Sequence, residues 1–268
     1  MCLLAMAWRA HADFPLLVVA NRDEAYDRPS AILREWDDAP GIYGGRDLRD
    51  GGSWLALSRA GRLAAVTNVR EPSPPTQPRS RGALVREFVL TEGRATVEAL
   101  RATDQGADFR PFNLILWDGH ELVHATNRPQ PARLVFDSGV HGVSNGHVGE
   151  RWPKVRWAVD SLRSWLAALP AGEMEPDVAP LFAAMASEQR AHPQQLPQTG
   201  VGPELELRLS APFIRGDVYG TRATTVVMVR RDGVATLIER SFNPGGTLRE
   251  ESRLTVQLER SAARGDSD

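Results

Sequence analysis

Apolar residues open the chain in two runs, 2–8 and 16–22, separated by a polar stretch over 9–15. Runs this short and apolar on both faces predict two strands buried between layers and joined as a hairpin. A turn centred near Ala12 places Cys2 opposite Arg22 across the pair. A glycine-rich stretch over 44–52 then leads into short apolar runs at 55–58 and 63–68. The prolines within 71–78 mark a surface loop. Two helices are predicted over 82–90 and 95–102. A second hairpin follows at 113–117 and 122–125 around Asp118-Gly119, with shorter strands at 134–136 and 140–145. The clearest helix spans 152–169. Pro153 suits its first turn, and Trp152, Val155, Val159, Leu162, Leu166 and Leu169 share one face. Another helix is predicted over 178–188, followed by a Pro/Gln-rich loop at 192–202. Strands are expected at 204–209 and 224–229, and the alternation of Leu254, Val256 and Leu258 marks a last one.

Strands, then helices, then more strands predict an α+β class with stacked layers, not alternating βαβ units. The chain has no G-x-G-x-x-G pattern and no P-loop, which argues against a doubly wound nucleotide fold. A single domain over 1–260 with a flexible C-terminal tail at 261–268 is expected.

Composition narrows the function classes. The 268 residues carry a formal charge of −2, which excludes a basic chain built to neutralise phosphates, so no nucleic-acid partner is expected. No run of about 18 apolar residues occurs, so no stable membrane insertion is expected. The first residues lack the basic flank and cleavage site of a signal peptide, which predicts a cytoplasmic protein. A single cysteine excludes an intramolecular disulfide and a cysteine-based zinc site. His120 and His124 straddle a hairpin and make no ligand cluster, so neither a metal nor a cofactor is expected. Lys154 is the only lysine and the other 31 basic residues are arginine, a bias that a GC-rich genome explains.

That single cysteine, Cys2, directly follows Met1. Removal of Met1 would leave a thiol and a free α-amine on one residue. The amine titrates near neutrality, so it can take the thiol proton and later return it to a leaving amine. The plainer alternative is an inert cysteine in a buried strand. Asn21-Arg22-Asp23-Glu24 brings four polar groups onto an otherwise apolar strand. An arginine beside Cys2 would lower the thiol pKa, and a carboxylate, Asp23 or Glu24, would hold an α-ammonium. Asp23 and Arg22 point to opposite faces of one strand, which leaves Glu24 open for that role. Asn68 and Asn145 stand at strand ends, where side-chain amides can donate to an oxyanion or simply serve turns. Arg222 opens the run at 224–229 and can clamp a carboxylate or cap the strand.

Met1-Cys2, Asn21-Arg22-Asp23-Glu24, Gly44-Gly45-Arg46-Asp47, Gly51-Gly52-Ser53-Trp54, Thr67-Asn68, Ser80-Arg81-Gly82, Phe112-Asn113-Leu114, Ser144-Asn145, Trp152-Pro153-Lys154-Val155 and Tyr219-Gly220-Thr221-Arg222 occur in this order. In these motifs the sequence resembles the NRDE-motif family, also called transport and Golgi organisation protein 2, from residue 1 to about 245. Ser53 stands where that family usually has Thr. The resemblance implies a four-layer αββα sandwich of two antiparallel sheets, like that of N-terminal-nucleophile hydrolases. It is similar to the cysteine branch that includes bile salt hydrolases and penicillin V acylases. On that likeness Cys2 would be nucleophile and general base, with Arg22 and Asp23 beside it. Asn68 and Asn145 would be oxyanion and substrate donors, and Arg222 a charge stabiliser. The family's eukaryotic members are linked to membrane organisation, haem movement and acyl-lipid handling.

Two functions are therefore weighed. The first is an N-terminal-cysteine amidohydrolase acting on a linear amide of a small acylated molecule. The second is a non-catalytic carrier of an acyl-lipid or haem in the same cleft, lined by some of Trp54, Trp117, Trp152, Trp157 and Trp165. Leu196-Pro197-Gln198-Thr199-Gly200, which matches a sorting signal, reads as a loop, and Arg264-Gly265-Asp266 as part of a charged tail.

Overall fold

The computed structural model describes residues 2–72, 76–147, 149–150 and 152–259. Met1, the expected tail at 261–268 and its Arg264-Gly265-Asp266 lie outside them. Two antiparallel sheets are built from strands that alternate core-facing residues on both sides. One sheet contains β1 (Cys2–Trp8), β2 (Leu16–Ala25), β10 (Gly139–Val143), β11 (Tyr219–Val229), β12 (Val234–Phe242) and β13 (Leu248–Gln257). Its order is β10-β1-β2-β11-β12-β13. The other runs β3-β4-β5-β6-β7-β8-β9, from β3 (Ser30–Trp36), β4 (Ala39–Asp47), β5 (Leu55–Ser58) and β6 (Arg62–Asn68) to β7 (Phe112–Trp117), β8 (Leu122–Thr126) and β9 (Ala132–Val135).

The opening strands are apolar on both faces because both faces are covered. Leu4, Met6, Trp8, Leu16 and Val18 pack against Leu55, Leu57, Leu63 and Ile115 of the opposite sheet. Leu3, Ala5, Ala7, Leu17 and Val19 instead meet α3 (Pro153–Ala168) and α4 (Ala179–Met185). Beyond the second sheet, α1 (Arg81–Leu90) and α2 (Ala95–Asp104) cover Ala56, Ala64, Leu114 and Leu116. The layers thus run helix, sheet, sheet, helix, the four-layer αββα sandwich of two antiparallel sheets that the resemblance implied. A buried carboxylate ties the sheets together: Glu239 on β12 accepts from the Leu33 backbone N–H on β3 at 2.8 Å and from Thr225 Oγ1 at 2.8 Å.

Residues 204–209 are a correction. They form a short helix, α5 (Pro203–Arg208), not a strand. Pro203 sits in its first turn with Glu204 and Glu206, and Arg208 in its last, which suits helix ends. The Glu-Leu alternation misled because burial does not follow it: Leu205 is exposed while Glu206 is drawn inward to Arg70. Strands β3, β4 and β12 were not anticipated; β4 runs through the first half of the glycine-rich stretch. Strand β2 continues to Ala25, so the four polar residues 21–24 all lie within it. No helix among the described residues is long and apolar enough to cross a membrane.

Candidate active site

The first hairpin closes with Cys2 paired to Arg22. Strand alternation then sorts residues 21–24. Arg22 and Glu24 share the face of Cys2, whereas Asn21 and Asp23 face the helix layer. Asn21 is fully buried. Its amide donates to the carbonyls of Met185 and Pro212, both at 2.9 Å, and its Oδ1 accepts from Thr224. Asp23, also buried, accepts from Thr221 Oγ1 at 2.7 Å on β11.

Arg22 is held from three sides. Its guanidinium lies 4.4 Å over the Trp54 ring, donates to Ser30 Oγ at 3.1 Å and stands 4.0 Å from Glu24. Trp54 can lie there because residue 45 is glycine, where a Cβ would fall 2.0 Å from the indole. Likewise a Cβ on Gly52 would fall 2.4 Å from the Gly82 carbonyl carbon. The glycine motifs thus bring the 51–54 turn and the start of α1 into backbone contact. Ser53 Oγ lies 2.8 and 2.9 Å from the carbonyl oxygens of Gly45 and Leu55, with its one hydrogen to share between them, a role that needs only the hydroxyl that Ser and Thr share.

Cys2, Arg22, Asp23, Glu24, Trp54, Thr67, Asn68 and Arg81 line a cleft of about 440 Å³ at the mouth of the sandwich. Burial pushes the Cys2 thiol up, and the Asp23 carboxylate adds to this. Arg22 and the backbone N–H of Asp23 pull it down. The balance leaves a protonated thiol at neutral pH, so nucleophilic chemistry here needs a base.

Asn68 lines the cleft and Asn145 does not. Asn145 is completely buried and donates through Nδ2 to Asn68 O and Asn68 Oδ1, both at 3.0 Å. Its Oδ1 accepts from Ser144 Oγ at 3.2 Å and Lys154 Nζ at 3.4 Å. Asn145 is therefore a brace for Asn68, whose own Nδ2 is left as the amide donor. Arg222 also departs from its expected place. It is the bulged residue of β11, where pairing skips from Thr221 to Ala223. It donates to the carbonyls of Ala25 and Arg28 at 2.8 and 3.1 Å and does not line the Cys2 cleft. The bulge turns its side chain to the far side of Arg22, where it braces the β2–β3 connection.

Two residues escaped the sequence reading. Arg81, at the start of α1, lines the cleft, and its charge couples to Cys2. Lys154 is buried behind Asn145, its pKa lowered to about 8 by burial against the opposing pull of Asp23. Its signal was in plain view: one lysine in a chain that otherwise uses arginine. A compact ammonium fits a site that a planar guanidinium does not.

Of the five tryptophans considered for the cleft, only Trp54 lines it. Trp117 lies in the core between the sheets, and the indole N–H groups of Trp157 and Trp165 donate to Ala184 O and Asp177 O.

The family model of Transport and Golgi organisation 2 matches residues 1–244. The chain belongs to this family. Within the Transport and Golgi organisation 2 family, the human homolog is 30% identical over 240 residues, covering 85% of this chain and 87% of that protein. The Drosophila melanogaster protein is 24% identical over 258 residues, covering 85% and 87%. Among solved structures, a Caenorhabditis elegans N-acylethanolamine-hydrolyzing acid amidase ortholog is 12% identical with a TM-score of 0.47, covering 84% of this chain and 92% of that one. A conjugated bile acid hydrolase from Clostridium perfringens is 9% identical with a TM-score of 0.47, covering 97% and 93%.

Proposed function

We propose that this member of the Transport and Golgi organisation 2 family is an N-terminal-cysteine amidohydrolase acting on a linear amide of a small acylated molecule. The observation that carries the reading is the placement of Cys2 opposite Arg22 at the mouth of a cleft that also holds the Asn68 amide. Once Met1 is removed, the α-amine of Cys2 takes the thiol proton and the thiolate attacks the amide carbonyl carbon. The developing oxyanion accepts from Asn68 Nδ2, which Asn145 orients, and the Arg22 guanidinium stabilises the thiolate. The α-ammonium returns the proton to the leaving nitrogen as the C–N bond breaks, leaving a thioester. Water, deprotonated by the same amine, cleaves the thioester to the carboxylic acid and regenerates the thiol. Net, one amide and one water give one acid and one amine.

Carriage of an acyl-lipid or haem in this cleft has less support. Six arginines line it, and its one large aromatic ring is covered by Arg22.

The test is intact mass of untagged protein before and after brief alkylation, followed by a screen of N-acyl amides. Loss of Met1, rapid single alkylation and amide turnover abolished by Cys2→Ser support the reading. Retained Met1, or turnover that survives Cys2→Ser, overturns it.

A further inference from the structure

A second cavity, of about 430 Å³, opens around the free edge of β10, between β9 and α3. Phe136, Val143, Val155 and Val159 give it apolar walls, and Asn113 and His124 line it as well. Hydrogen bonds fix the state of both polar groups. Asn113 Nδ2 donates to the carbonyls of Ser144 and Gly146 at 3.1 and 3.0 Å, so its Oδ1 is an acceptor. That oxygen lies 3.1 Å from His124 Nε2, which must therefore carry the ring hydrogen. Nδ1 keeps its lone pair.

His124 is 1% exposed, and Nδ1 has no hydrogen-bond partner among the described residues. Burial lowers the pKa to about 4, so the ring is neutral at physiological pH. An acceptor buried without a donor is costly, and a ligand that supplies the donor recovers that cost. A cavity of this size falls in the range of small-molecule sites.

We propose that this cavity binds a neutral, mostly apolar small molecule whose end carries one hydroxyl or N–H group. That group donates to His124 Nδ1 while the apolar body lies against Phe136, Val143 and Val159. The site is separate from the Cys2 cleft. Between them stand the Thr67 Oγ1 to Ser144 O bond, at 2.6 Å, and the paired amides of Asn68 and Asn145. The inference therefore holds whether or not Cys2 is a nucleophile.

The test uses the full chain and three probes of matched length in titration calorimetry: octan-1-ol, octanamide and 1-fluorooctane. At least one donor probe is expected to bind one site per chain at least ten-fold tighter than 1-fluorooctane, and the tighter of the two identifies the donor. His124→Phe should erase that ten-fold preference. Leu134→Trp, at the position paired with His124 across β8 and β9, fills the cavity and should weaken all three probes about ten-fold. The alkylation rate of Cys2 should stay unchanged in both variants, which checks the fold. Equal binding of all three probes, a preference that survives His124→Phe, indifference to Leu134→Trp, or no saturable binding to the folded chain overturns the proposal. If His124→Phe does not fold, Leu134→Trp decides.

Discussion

Asn145 commits both hydrogens of its side-chain amide to Asn68, one to the backbone carbonyl and one to Oδ1. Two asparagines that lie 77 positions apart in sequence thus act as one unit. Only the outer one offers a hydrogen to the cleft.

That arrangement ranks the variants of any amide-hydrolysing activity. Asn68→Ala should lower kcat by about 10²–10³, the cost of one oxyanion donor. Asn145→Ala should lower it by a similar factor because Asn68 is no longer oriented, and the double variant should be little worse than either single one. Arg222→Ala should leave kcat within a few-fold and appear instead as a lower Tm. Steady-state kinetics with thermal melts check the order, and additive losses for the two asparagines would refute the brace.

Arg22 and Asp23 act on the thiol with opposite signs. Arg22→Met removes a cation that lowers the Cys2 pKa, so alkylation at pH 7.5 should slow by about ten-fold. Asp23→Asn removes an anion that raises it and should speed alkylation. Because Cys2 is the only thiol, intact mass against time across a pH series reads both effects without digestion.

Lys154→Met leaves Asp23 buried without its nearby ammonium. A destabilisation of about 2 kcal/mol is expected in urea unfolding, the scale for buried acceptors, here Asn145 Oδ1, that lose a charged donor. Lys154→Arg should recover little of it, since the guanidinium must fit where a compact ammonium reaches Asn145. Full recovery by arginine would show that charge alone matters there.

Glu239 sets a pH dependence of stability. Burial raises its pKa to about 6. A carboxyl with a folded pKa above its unfolded value binds its proton more tightly in the folded state. Its contribution is thus most favourable at low pH and is lost as pH rises from the unfolded pKa, near 4.3, to about 6. The ionised form costs roughly 2 kcal/mol at pH 7. Glu239→Gln keeps an acceptor for Leu33 N–H and should raise Tm at pH 7 while changing it little at pH 4. Melts at the two pH values test this, and a lower Tm at pH 7 would contradict it.

Gly52→Ala should be severe. The new Cβ would meet the carbonyl of Gly82, which is backbone and has no rotamer to yield. A loss of about 3 kcal/mol is expected, at the upper end for overpacking. The same change at Gly51, with open space around it, tests only its positive φ and should cost about 1 kcal/mol.

The sequence by itself determined the opening hairpin, its register and the layered class. Those features rest on local periodicity and on a single loop length, so Cys2 opposite Arg22 could be read before any coordinates. It also supplied the family motifs, and with them a set of candidate polar residues. It did not determine which of those residues meet. Asn68 ends β6 in one sheet and Asn145 lies in the bend just after β10 of the other, and only the packing of the two sheets makes one brace the other. Arg222 leaves the expected cleft through a single bulge, which no periodicity encodes. Lys154 lies on the apolar face of α3, where a helical pattern calls for a hydrophobe. The buried carboxylate that justifies its charge sits on β2, distant in sequence. Residues 204–209 alternate like a strand yet fold as a helix, because Pro203 starts the turn and Arg70 draws Glu206 inward. Local propensity sets the elements, and long-range burial decides which polar groups share one dry space.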